Sequence, residues 1–136
     1  MRLQTTLART VTVSGVGLHS GHLVRATLRP APAGRGIVFL RTDVGAVLPA
    51  LAEEAGRLDY ATSLGERGRE VGTVEHLLSA AAGLGLDNLT VEIDGPELPI
   101  LDGSSAPWVA EIGSAGITTL ASAARPFVVP KTLTVH

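Results

Sequence analysis

The sequence contains no cysteine, which excludes a disulfide framework, cysteine-ligated zinc and a thiol nucleophile. Aromatic residues make up only 3% of the chain, too few for a platform on which nucleic-acid bases stack. Basic residues are not in excess: the formal net charge is −2, so the electrostatic footprint of a nucleic-acid binder is missing as well. Nor is there a long apolar run. No segment approaches the ~18 apolar residues that would span a bilayer, and Met1 to Thr6 lacks the apolar core of a signal peptide. No internal repeat is visible. What these absences leave is a soluble, cytoplasmic domain with 136 residues and a 45% hydrophobic fraction, enough for one compact core built mostly of Ala, Val and Leu.

Taken in order, Leu3 to Val13 is rich in Thr and Val and predicts a strand. The segment Ser14 to Gly21 carries three glycines and fits a tight turn or a close backbone approach. Leu23 to Leu28 alternates apolar and polar residues and should pair back on the first strand. Arg29 to Gly34 is a loop, and Gly36 to Arg41 a third strand. From Thr42 to Glu70 the pattern is irregular: Ala52 to Ala55 fits a helical turn or a solvated loop, and Thr62–Leu64 with Glu70–Val71 fits a hairpin around Gly65 to Gly68. Asn88 to Ile93 alternates strictly and predicts another strand. A helix should start near Ser104 or Ser105, with Pro107 in its first turn. Trp108, Val109 and Ile112, extended by Ala115, form its buried stripe, and Gly116 ends it. Ile117 to Ala124 reads as a connector, and Phe127–Val129 and Thr132–Val135 as the start of another sheet. The predicted fold class is α+β: a two-layer sandwich of a mostly antiparallel sheet of about five strands with two helices on one face.

The stretch that organises the rest is Gly72 to Leu78, the opening of a helix predicted over Thr73 to Leu84. Thr73 is a natural N-cap. Leu77, Ala80, Ala81 and Leu84 recur at helical spacing, and Gly83 and Gly85 mark the end. Glu75 and His76 then sit in the first turn, where the helix dipole favours an anionic carboxylate and a neutral, ligating imidazole. Each residue also has an ordinary reading: a first-turn Glu serves the dipole alone, and a lone His is usually structural. No second histidine lies four positions on, so the zinc-protease pattern of paired histidines is absent. His19 lies in the glycine-rich turn, as a ligand contact or as a plain loop residue; His22 and His136 have no supporting context. Asp102, ahead of Gly103-Ser104, reads as an Asx-turn or cap.

Six motifs in register change the weight of these residues. Gly15-Val16-Gly17-Leu18-His19-Ser20-Gly21, Leu28-Arg29-Pro30-Ala31-Pro32, Arg41-Thr42-Asp43, Thr73-Val74-Glu75-His76-Leu77, Asp87-Asn88-Leu89 and Glu97-Leu98-Pro99-Ile100-Leu101-Asp102-Gly103-Ser104 occur in the order and spacing of one family. Over Thr5 to Gly116 the chain resembles the UDP-3-O-acyl-N-acetylglucosamine deacetylases of lipid A biosynthesis. The resemblance implies a zinc-dependent hydrolase that removes an acetyl group from the glucosamine nitrogen. It assigns Glu75 as general base, His76 as one zinc ligand and His19 to substrate contacts, and makes the Asp102 motif architectural.

The same resemblance implies what is missing. In that family a second domain of similar fold faces the first across the site and brings a His and an Asp as further zinc ligands, with the Lys and His that assist the reaction. Residues 1–124 then correspond to the amino-terminal deacetylase domain, and 125–136 to the first strand of a truncated second domain. A single imidazole holds catalytic zinc poorly, so the chain alone is expected to be inactive until the second domain is supplied in cis or in trans. The expected partners are that domain and the acylated UDP-sugar, with no nucleic acid and no membrane span. A different class of reading is a catalytically inactive half-enzyme serving as a binding or scaffold domain. Without the rest of their sheet, Val128, Leu133 and Val135 should fray or self-associate.

Overall fold

A computed structural model describes residues 1–135; His136 lies outside the described residues. Among the described residues, seven strands and two α-helices form an α+β domain. The Thr/Val-rich start is not one strand but two, β1 (Leu3–Leu7) and β2 (Val11–Val16), broken at residues 8–10. The break sends them to different sheets. β2 pairs with β3 (Leu23–Pro30), as the alternation predicts, and the five-stranded sheet continues through β6 (Leu89–Ile93) and β4 (Ile37–Arg41) to β5 (Ala46–Pro49). Only the contact between β4 and β6 is parallel, so the sheet is mostly antiparallel as expected. The strand β5 is a correction to the irregular segment. It is four residues long with Val47 exposed, so it shows too little alternation to stand out in the sequence.

Residues 117–123, expected as a connector, form β7 (Ile117–Ala123) and pair antiparallel with β1. The β-branched run Ile117-Thr118-Thr119 suits a pleated backbone, and β1 offers it hydrogen-bonding groups that no other strand uses. This ribbon is tied to the main sheet by polar contacts. The Thr6 hydroxyl donates to the Asn88 carbonyl (2.9 Å) and accepts from the Ala31 amide (2.8 Å), and Asn88 is buried. No strand is present at Phe127–Val129 or Thr132–Val135; both segments run outside the sheets with Phe127, Val128, Leu133 and Val135 exposed. A strand needs a hydrogen-bonded neighbour, and the described chain has none beside them.

Both helices cover one face of the five-stranded sheet. Leu77, Ala80 and Ala81 of α1 (Glu75–Leu84) and Trp108, Ile112 and Ala115 of α2 (Ala106–Ala115) share a single core cluster with Ala26, Leu28, Leu89, Val91 and Ile93. The intervening strand residues point to the other face, where Arg29 pairs with Glu92 at 2.9 Å. Helix α1 ends as predicted at Gly85, whose left-handed backbone lets the Gly85 and Leu86 amides reach Ala82 and Ala81 carbonyls. At the start of α2, Asp102 Oδ1 accepts from the Ser104 amide and hydroxyl, and Ser104 Oγ accepts from the Ala106 amide. Asp102 is thus an Asx-turn residue, the ordinary reading. Val109 is a correction to the stripe: it is 39% exposed, whereas Trp108 is 1% exposed. Trp108→Ala should therefore lower unfolding free energy by about 3–5 kcal/mol and Val109→Ala by less than about 1 kcal/mol. Guanidinium unfolding checks the pair, and equal losses would contradict this core.

Candidate active site

The first turn of α1 departs from its predicted form in one respect. The helix begins at Glu75, not Thr73, and the Thr73 hydroxyl caps nothing. Thr73 instead has φ +56, a left-handed backbone that a β-branched residue rarely adopts, and its hydroxyl donates to Glu97 Oε1 at 2.7 Å. The chain therefore turns sharply just before the helix. Glu75 then lies at the first helical position, where Oε2 accepts from the Thr62 amide at 3.1 Å, and the Val74 amide donates to the Thr62 carbonyl at 3.2 Å.

Glu97 is the residue that sequence reasoning passed over. Its carboxylate, almost wholly buried, accepts from the His19 amide, the Ser20 amide (2.7 Å) and the Thr73 hydroxyl. One side chain thus joins the glycine-rich turn to the helix entry. The glycine content of that turn now has a cause: a Cβ at Gly17 would collide with Glu97 Oε2 and Ser20 Oγ. Burial pushes the Glu97 carboxyl up, but the Thr73 hydroxyl and the Ser20 and His19 amides outweigh it and hold it below the ordinary glutamate value. A lone charge set among Pro96, Leu98, Pro99, Ile100 and Leu101 was the signal that could have marked it. A buried carboxylate must find donors.

These turns enclose a cavity of about 460 Å³ that brings together His19, Glu75, His76 and Asp102. Among the described residues the non-glycine positions with positive φ are Tyr60, Thr73 and Leu101, and all of them line this cavity. Backbone strain of that kind costs on the order of 1–3 kcal/mol per residue and collects at functional sites. A larger cavity of about 850 Å³ lies near the chain ends, but Arg2, Gln4, Asp87 and Asn88 in its lining are engaged with one another and with the backbone. There Arg2 pairs with Asp87, Gln4 Oε1 accepts from the Gly34 amide, and Asn88 Oδ1 from the Gly36 amide. The smaller cavity is different. His76 Nδ1 is buried with no hydrogen-bond partner, an unused donor or acceptor beside Glu75. No group of three His, Asp or Glu side chains able to hold a metal occurs among the described residues. His19 is exposed on the rim, and His22 lies away from the cavity lining.

Residues 4–136 match the family model for LpxC, UDP-3-O-acyl N-acetylglycosamine deacetylase. The chain belongs to this deacetylase family. It is 52% identical over 134 residues to the UDP-3-O-acyl-N-acetylglucosamine deacetylase of Myxococcus xanthus (strain DK1622), which covers 97% of this chain and 43% of that protein. The deacetylase of Anaeromyxobacter dehalogenans (strain 2CP-C) is 48% identical over 126 residues, covering 93% of this chain and 41% of that protein. That of Geobacter sp. (strain M21) is 46% identical over 140 residues, with 99% and 45% covered. The chain thus spans less than half the length of these relatives. No helix among the described residues is long and apolar enough to cross a membrane.

Part of the acid behaviour of this family member follows from Glu97. Because its folded carboxyl titrates below its unfolded value, the ionised form favours folding. That stabilisation is complete above about pH 4.3, the ordinary glutamate value, and is lost as pH falls through the lower folded value. Denaturant midpoints followed from about pH 7 to about pH 3 should fall more steeply for the wild type than for Glu97→Gln. Parallel curves would contradict the clamp.

Proposed function

We propose that this chain supplies one wall of a zinc-dependent active site that deacetylates UDP-3-O-acyl-N-acetylglucosamine, releasing acetate in lipid A synthesis in the cytoplasm. The observation that carries the proposal is that Glu75 and His76, adjacent at the start of α1, line one cavity together with strained backbone, and that His76 Nδ1 has no hydrogen-bond partner. The relatives, which are UDP-3-O-acyl-N-acetylglucosamine deacetylases, supply the substrate.

The donor chemistry fits zinc. A buried imidazole nitrogen without a partner is a borderline ligand of the kind zinc takes, and His76 is the residue that would hold the metal here. One imidazole is too few for a catalytic site, so the remaining ligands come from the part of the relatives' length that this chain does not span. When bound, zinc supplies Lewis acidity that makes water more acidic and the amide carbonyl more electrophilic.

The chain's own residues do the rest of the work available to them. Glu75 is the general base: Oε2 is fixed by the Thr62 amide, while Oε1 has no protein donor among the described residues and is open to a water proton. Fixing one oxygen orients the other, which is what proton transfer at hydrogen-bond distance requires. The water oxygen attacks the acetyl carbon, the carbon–nitrogen bond breaks, and the amine leaves with a proton from a second acid, also outside this chain. His19, at the cavity rim, contacts the sugar substrate.

Purified alone, the chain should bind zinc weakly and release no acetate. Activity should appear when the remainder of the relatives' length is supplied in cis or in trans, and Glu75→Ala should then lower kcat by about 10²–10⁴-fold. Acetate release by the isolated chain would overturn the proposal. Unchanged kcat in Glu75→Ala would favour a binding or scaffold domain instead.

A further inference from the structure

Resting on the deacetylase reading, we infer that Glu97 is a positioning residue for the reaction: its carboxylate fixes the distance between the His19 turn and the Glu75–His76 turn.

The segment that carries Glu97 is held from both sides by backbone hydrogen bonds. Toward the helix entry, the Gly72 amide donates to the Pro96 carbonyl (2.8 Å) and the Leu98 amide to the Gly72 carbonyl (3.1 Å). Toward the glycine turn, the Ile100 amide donates to the Val16 carbonyl at 3.0 Å. Between these fixed points the carboxylate divides its oxygens. Oε1 takes the Thr73 hydroxyl and the His19 amide, and Oε2 takes the Ser20 and His19 amides. Every partner is a donor, so the site asks for a group that only accepts. A glutamine amide would set its own N–H groups against one of these donors.

The consequence for chemistry runs through Thr73. Its left-handed backbone makes the sharp turn after which Val74 enters the core and Glu75 lines the cavity, and that conformation is costly for a β-branched residue. The bond from the Thr73 hydroxyl to Glu97 opposes relaxation toward an ordinary backbone angle. Released, the turn would shift Glu75 and His76 relative to His19. Misplacement of about 1 Å at a reacting group costs up to about 10²-fold in rate. The two arms of the clamp also separate in function: the Thr73 arm sets the base and ligand, while the His19–Ser20 arm sets the substrate rim.

The test compares Thr73→Val, Thr73→Ser, Glu97→Gln and Glu75→Gln in the protein that joins this chain to the rest of its relatives' length. Acetate release gives kcat and KM, and circular dichroism with thermal unfolding gives the folded fraction. Thr73→Val should lower kcat by about 10- to 100-fold with KM changed less than about threefold, and Thr73→Ser should recover most of the loss. Glu97→Gln should lower kcat and raise KM together, since it loosens both arms. A purely structural role would instead make kcat losses track the folded fraction, with KM constant, and that result would overturn the inference. So would wild-type kcat in Thr73→Val, which decides the matter even if Glu97→Gln fails to fold. Glu75→Gln separates the two readings: if it loses activity while Thr73→Val keeps wild-type kcat, the positioning role fails alone, and if Glu75→Gln itself keeps wild-type kcat, the base role proposed for Glu75 fails with it.

Discussion

The arrangement of this domain depends on one buried charge. Glu97 sits almost entirely out of water, and a carboxylate can remain there only when hydrogen-bond donors replace its solvation. The chain provides them from two distant places, the amides of the turn after β2 and the hydroxyl before α1. Satisfying the charge therefore forces two loops to meet. The rest of the local structure follows from that meeting, including the absence of a side chain at Gly17 and the left-handed backbone of Thr73.

Around this clamp the domain concentrates its cost. The regular parts are relaxed: alternating strands, helices closed by Gly85 and Gly116, and a single core in which Trp108 is the largest buried side chain. The strained residues Tyr60, Thr73 and Leu101 lie instead on three separate segments that converge on one cavity. Rigid layers below and strained turns above are the usual division between scaffold and site. The larger cavity near the termini lacks this signature: none of these strained residues lines it, and Gln4 and Asn88 there tie β1 to the sheet.

Much of this was legible in the sequence, and the losses have physical causes. The alternation of Leu23 to Leu28 and of Asn88 to Ile93 reports one buried face directly, so both strands and their layer were readable. The pairing of Glu75 with His76 in a helix's first turn was readable from spacing alone. What periodicity cannot carry is long-range partnership. Nothing local in Ile117-Thr118-Thr119 says that β1 lacks a neighbour, so in sequence the segment reads as a connector. Thr73 reads as an N-cap because hydroxyl residues before helices usually are; its hydroxyl is taken by Glu97, 24 residues away in the chain. β5 is too short to announce itself, and the break between β1 and β2 interrupts a run whose composition does not change.

In this deacetylase-family domain the proposed base Glu75 and the proposed metal ligand His76 follow a turn that a buried glutamate holds in place. The most direct test is an anomalous scattering map at the zinc edge from crystals of the protein in which this chain is joined to the rest of its relatives' length. The account predicts a zinc peak about 2.0–2.1 Å from a His76 nitrogen, with Glu75 facing the metal but outside bonding distance. A zinc peak remote from His76, or a metal bound directly by Glu75, would contradict it.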